Sequence, residues 1–260
     1  MSNVRLIGRL DIKGSSLIKG VHLEGLRVVG KPADYALKYY EEGIDELIYM
    51  DSVASLYGRN HLGDLIKNTV KNIFIPITVG GGIRSLDDAK NIFRAGADKI
   101  AVNTQAVLRP SFLHELSDTF GSQSIMLSIE AKKQDDGKWY AYTHNGREDT
   151  GLDVLDWAQE AVSLGVGEIL LTSVDREGTR KGFELELIQQ VAELIEVPLI
   201  ASGGMGQVSH MLEAVNASAD AIAMADILHW GRCSVGDIRL AALNAGLSVR
   251  KYEKHQDNID

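Results

Sequence analysis

Two carboxylates, Asp11 and Glu130, end apolar runs and lead into similar triplets, Asp11-Ile12-Lys13 and Glu130-Ala131-Lys132. Carboxylates on opposing elements can divide the work of general acid and base when their surroundings separate their proton affinities. Either one alone is as readily a loop cap or a partner of Lys13, Lys19 or Lys132. Their recurrence at an offset of 119 residues shifts the reading toward catalysis. Asp51 ends another apolar run and is weaker, since it can equally hold loop amides. Gly80-Gly81-Gly82 and Gly203-Gly204 offer backbone without Cβ atoms ahead of helical stretches, where free N–H groups can hold a phosphate. The plain reading is tight turns. Two runs in equivalent positions suggest two phosphate sites, hence a long substrate phosphorylated at both ends. Thr104 and Gly178-Thr179 could add hydroxyl and amide donors.

The elements that must position these residues follow from periodicity. Short apolar runs at 4–12, 46–51, 75–79, 99–103, 124–130, 168–173, 198–202 and 221–225 alternate with stretches of helical period. One such stretch follows Pro32, and another starts at Ser85 with Asp88 completing a capping box. Eight βα units in this length predict a single α/β (β/α)8 TIM barrel over residues 1–250, not an open doubly wound sheet. An internal repeat supports this. Pro76 and Pro198, Gly81 and Gly203, and Asp98 and Asp220 all lie 122 residues apart, which predicts half-barrels of about 1–122 and 123–250. Residues 132–149, with Asp136-Gly137 between strand-like stretches, predict a β-hairpin excursion over the active face. A polar tail occupies 251–260.

The chain has 260 residues, 45% of them hydrophobic, and a formal net charge of −9. That composition suits a globular domain and excludes disorder or collagen. The acidic balance argues against a general nucleic-acid surface while leaving room for a local phosphate pocket. Cys233 is the lone cysteine, which excludes an intrachain disulfide and fits a reducing cytoplasm. No apolar run reaches membrane-spanning length, and the first residues do not read as a signal peptide. The seven histidines, His61 and His255 among them, form no ligand pattern, so no metal and no cofactor is assigned. Arg5, Glu46, Lys99 and Glu168 begin strands 1, 2, 4 and 6. They could close a ring of ion pairs over the barrel bottom, although by pattern alone a solvated rim is the simpler reading.

The chain resembles the cyclase subunits of imidazole glycerol phosphate synthase, the HisF family, from about residue 4 to residue 250. The resemblance is carried by LDIKG with Lys19-Gly20-Val21, DELIYMD, PITVGGGIRS, RAGADKIAVNT, FGSQ, TGLD, GEILLTS, DREGT and IASGG. It implies a half-barrel-duplicated TIM barrel that takes ammonia from a HisH-like glutaminase. The ammonia serves to split and cyclise a bisphosphorylated ribulosyl-formimino-carboxamide ribonucleotide, giving imidazole glycerol phosphate and aminoimidazole carboxamide ribonucleotide. It implies Asp11 and Glu130 as acid and base, with Lys19, Asp51 and Asn103 beside them. It implies phosphate grips around Gly81, Gly82 and Thr104 and around Gly178, Gly203, Gly204, Ala225 and Asp226. Arg5, Glu46, Lys99 and Glu168 then match an ammonia gate, and Asp98 a docking residue for the glutaminase.

Four positions depart from the family pattern. Glu130 and Glu177 replace Asp, Asp226 replaces Ser and brings negative charge to the second grip, and Arg9 replaces Cys. Counting by twos from Asp11, Arg9 faces the barrel interior, where it needs a partner; Asp51 and Glu130 are the candidates. These changes surround the substrate and leave the partner-facing side intact. That pattern also fits paralogues that deliver ammonia for amidinated surface sugars, many of which lack Asp11 and Lys19. A third reading is a non-catalytic ammonia conduit or glutaminase activator. The sister isomerase of histidine biosynthesis fits the gate charges less well.

Overall fold

The structure is a computed structural model that describes residues 3–53 and 62–252, so His61, His255 and most of the polar tail lie outside the described residues. Its strands are β1 (Arg5–Lys13), β2 (Ser16–Val21), β3 (Glu24–Gly30), β4 (Glu46–Asp51), β5 (Ile77–Gly80), β6 (Lys99–Val102), β7 (Ile125–Lys133), β8 (Trp139–Thr143), β9 (Glu148–Asp153), β10 (Glu168–Ser173), β11 (Leu199–Ser202) and β12 (Ala221–Met224). Eight of them, β1, β4, β5, β6, β7, β10, β11 and β12, pair in parallel and close on themselves. Helices follow each in turn, from Pro32–Glu41 to Val235–Asn244. This is the (β/α)8 barrel that the periodicity predicts. No helix among the described residues is long and apolar enough to cross a membrane.

Several strand ends move. Pro76 and Pro198 lack the N–H that a ladder needs, so β5 and β11 begin after them. β7 runs on to Lys133 because β8 pairs with its upper half, Glu130 opposite Tyr142. The hairpin around Asp136-Gly137 is present, and it gains a third strand, β9, which ends at Asp153 beyond the expected limit. A second antiparallel excursion, β2 with β3, was not expected at all. Its turn places His22 and Leu23 at φ 53° and 61°, the geometry of a type I′ turn without the Asn-Gly signature.

Two apolar cores result. The larger lies between the strands and the helices. A second, separate cluster fills the barrel itself: Ile7, Ile48, Ala101, Met126, Leu170, Ile200, Ala221 and Ala223, with Met50 packed against it. The Ser85 capping box forms, its hydroxyl accepting from Asp88 N at 3.1 Å.

The two halves match in detail. Asp98 Oδ2 accepts from Ile77 N at 2.8 Å, and Asp220 Oδ2 from Leu199 N at 2.8 Å. Gly81 and Gly203 hold φ of +99° and +96°. A Cβ on Gly81 would lie 2.5 Å from the carbonyl oxygen of Asp51; on Gly203 it would lie 2.7 Å from that of Ser173. Only glycine fits either position.

Candidate active site

Along β1 the alternating residues Arg5, Ile7, Arg9 and Asp11 share the inward face. They mark four levels of the barrel, from bottom to mouth.

At the bottom, Arg5 donates to Glu46 at 2.8 Å and approaches Glu168 at 2.5 Å, while Lys99 lies 2.7 Å from Glu168 and 3.5 Å from Glu46. Each cation touches both carboxylates, so the ring is closed. The two glutamate side chains are 9% and 5% exposed. The solvated rim that pattern alone favours is therefore overturned. Strand starts read one at a time cannot show that four of them converge on the barrel axis. Above the ring, Ile7 and the rest of the inner cluster form an apolar layer.

Arg9 comes next, 3% exposed. Neither expected partner holds it. Its Nε donates to Asp11 Oδ1 at 2.9 Å, and its Nη1 donates to Thr172 Oγ1 at 2.8 Å and Ser202 Oγ at 3.1 Å. Counting by twos gave the right face, but the neighbour two residues along the same strand was closer than any carboxylate across the mouth.

At the mouth stand Asp11 and Glu130, both buried. Burial pushes Asp11 upward, but the charges of Arg9 and Lys19 and the hydrogen bond from Arg9 outweigh it, leaving Asp11 below the usual carboxylate range. Glu130 goes the other way. Burial raises it to about 7, against the opposing pull of the Gly146 N–H, which donates to Oε2 at 2.7 Å, and of Arg9. Two carboxylates with separated proton affinities face one mouth, one ionised at neutral pH and the other partly protonated. Behind Asp11, His229 Nδ1 meets the Tyr39 hydroxyl at 2.7 Å, and burial lowers the imidazole to about 3, so it is neutral.

An open cavity of about 220 Å³ adjoins Glu130, while Asp11 lines a small crevice with Lys19 and Glu177. Asp51, Gly81, Gly82, Asn103, Thr104 and Glu130 line the open cavity. Asp51 Oδ1 accepts from Val53 N at 3.0 Å, and Asn103 Nδ2 donates to the Tyr142 carbonyl at 3.0 Å, which ties the site to the β8 excursion. The crevice at the other glycine run is different. Lys19, Glu177, Gly178, Gly203, Gly204, Ala225 and Asp226 enclose only about 10 Å³, room for about one water. Lys19 is not beside Asp11 as a free ammonium; it is ion-paired with Glu177, whose Oε2 sits over Gly203. Asp226 lines this crevice as expected and its charge acts on Lys19; it also pairs with Arg232 Nε at 3.1 Å, and its side chain caps no helix. His22 N donates to the Glu177 carbonyl at 2.8 Å, so the β2–β3 excursion closes over the crevice. Outside it lies a broader basin with Arg27, Arg180 and Arg232 on its walls. Sequence reasoning missed Thr172, Ser202 and these arginines. Nothing in the sequence set the heights of Thr172 and Ser202 against Arg9, and the arginines come from β3 and two separate loops.

The fold is a closed (β/α)8 barrel with two buried carboxylates, Asp11 and Glu130, and two symmetry-placed glycine runs at its mouth. The family described as histidine biosynthesis protein matches residues 5–234. The imidazole glycerol phosphate synthase subunit HisF of Legionella pneumophila is 63% identical over 207 residues, covering 80% of this chain and 98% of its own. Those of Streptococcus sanguinis and Mycobacteroides abscessus are 45% and 44% identical, covering 96% and 95% of this chain and 100% and 98% of their own. The chain belongs to the HisF family, the cyclase subunits of imidazole glycerol phosphate synthase. The surface-sugar and non-catalytic readings are not favoured.

Proposed function

We propose that this chain uses ammonia from a glutaminase partner to split and cyclise the bisphosphorylated ribulosyl-formimino-carboxamide ribonucleotide, with Asp11 and Glu130 as its proton-transfer pair. The observation that carries this reading is their opposite electrostatic setting at one mouth. When ammonia nitrogen forms a new bond it must lose protons, and when a carbon–nitrogen bond breaks the leaving nitrogen must gain one. Asp11, ionised beside Arg9, suits the first task. Glu130, protonated in part at neutral pH, suits the second. Asp51 and Asn103 line the adjoining cavity and orient the substrate there.

One substrate phosphate is held at Gly81, Gly82 and Thr104, where the cavity is open. The other belongs at Gly178, Gly203, Gly204, Ala225 and Asp226, with the arginine-walled basin as its approach. It must displace Glu177 from Lys19 to enter. Ammonia passes the ring of Arg5, Glu46, Lys99 and Glu168 and crosses the apolar layer, where the lack of water keeps it from being protonated. A one-to-one complex with the glutaminase then covers the barrel bottom, with Asp98 at its edge. The single free Cys233 fits a reducing cytoplasm.

Expression in a histidine auxotroph that lacks its own cyclase tests this reading. Growth on minimal medium, slower than with a standard cyclase, is the expected result. Failure to grow with the protein present in soluble form would contradict it.

A further inference from the structure

Arg9 occupies the level between the apolar layer and the reacting carboxylates, and three strands hold it there. Thr172 on β10 and Ser202 on β11 are direct neighbours in register, so their hydroxyls form a fixed two-point socket for Nη1. Thr172 is also the register partner of Glu130 on β7. The guanidinium therefore spans from Asp11 to the strand that abuts the second carboxylate. A buried guanidinium without a carboxylate would be strongly destabilising. Among the bonds described, Asp11 is the one carboxylate it meets.

We propose that Arg9 is a positioning residue: anchored by Thr172 and Ser202, it fixes the orientation of the Asp11 carboxylate at the barrel mouth. The inference rests on Asp11 being the proton acceptor of the reaction proposed above. The planar guanidinium holds one oxygen through Nε, so the carboxylate plane cannot turn freely. Four charged or titratable groups bear on Asp11: Arg9 from its own strand, Lys19 from β2, His229 from the helix Asp226–His229, and Glu130 across the mouth. His229 is neutral and Lys19 is engaged by Glu177. Arg9 is thus the cation bonded directly to Asp11.

The test is a carbon-13 carboxylate titration of Asp11 in the full chain, which needs no substrate, paired with ammonium-dependent kinetics. In Arg9→Met the Asp11 midpoint should rise by about one unit or more, and in Arg9→Lys most of that rise should disappear. Turnover by Arg9→Met should fall about tenfold in kcat with KM little changed, since the substrate grips are untouched. The double variant Thr172→Val/Ser202→Ala keeps the cation and removes its socket; it should give a smaller rise in the same direction. An unmoved Asp11 midpoint in Arg9→Met would overturn the proposal. If that variant does not fold, an unmoved midpoint in the double variant overturns it equally. Loss of wild-type turnover would strike the proposed reaction and leave the titration to judge Arg9.

Discussion

Glu177 reaches over Gly203 to pair with Lys19, so a carboxylate stands where the second substrate phosphate would be gripped. The matching glycine of the first half, Gly81, opens instead on a cavity of about 220 Å³. A phosphate binding at Gly203 must break a buried ion pair and replace it with its own contact to Lys19.

Glu177→Asp shortens that side chain by one methylene and should loosen the pair. KM for the bisphosphorylated substrate is then expected to fall about three- to tenfold, equivalent to about 1 kcal/mol. Sulfate soaked into crystals should occupy the Gly82 cradle in the wild type, and both cradles in the variant. Equal sulfate density at Gly204 in the two proteins would show that Glu177 is no obstacle.

Asp11→Asn should remove at least a hundredfold of turnover with ammonium, because an amide cannot accept the proton. Glu130→Asp should raise turnover severalfold, since it restores the shorter carboxylate of the family at a site where reach matters. Steady-state kinetics on the two variants check both directions.

Burial of Glu130 also fixes the sign of a stability effect. Its folded-state pKa, about 7, lies above the ordinary value of 4.5, so ionising it is harder in the folded protein. Its contribution is fully present below pH 4.5 and is lost as the pH rises through 7. Glu130→Gln has nothing to lose in that window. Relative to the wild type, the variant should gain about 3 kcal/mol between pH 4 and pH 8. Urea melts at the two pH values measure it, and a pH-independent difference would show that Glu130 is not held protonated.

Lys99→Ala opens the bottom ring without reaching the mouth. Glutamine-dependent turnover with the glutaminase bound should change while turnover with added ammonium stays nearly intact. Equal losses in both assays would show that the ring serves stability alone.

Much of this architecture was legible in the chain. The eight barrel strands follow from apolar runs, and the repeat from matching glycines and aspartates, because both depend on local pattern. The β2–β3 excursion was hidden because His22-Leu23 makes a type I′ turn without asparagine or glycine at its centre. The partners of Arg9 were hidden for another reason. Alternation tells which way a side chain faces, whereas finding Thr172 and Ser202 at its tip requires the relative heights of three strands. The same limit concealed the Lys19–Glu177 pair, whose members come from an excursion of the first half and a loop of the second.

The most direct test is turnover of the bisphosphorylated ribulosyl-formimino-carboxamide ribonucleotide by the purified chain with excess ammonium and no glutaminase. The account gives imidazole glycerol phosphate and aminoimidazole carboxamide ribonucleotide in equal amounts, at a rate abolished by Asp11→Asn. No product under conditions where a standard cyclase turns over, or product formation indifferent to Asp11, would contradict it.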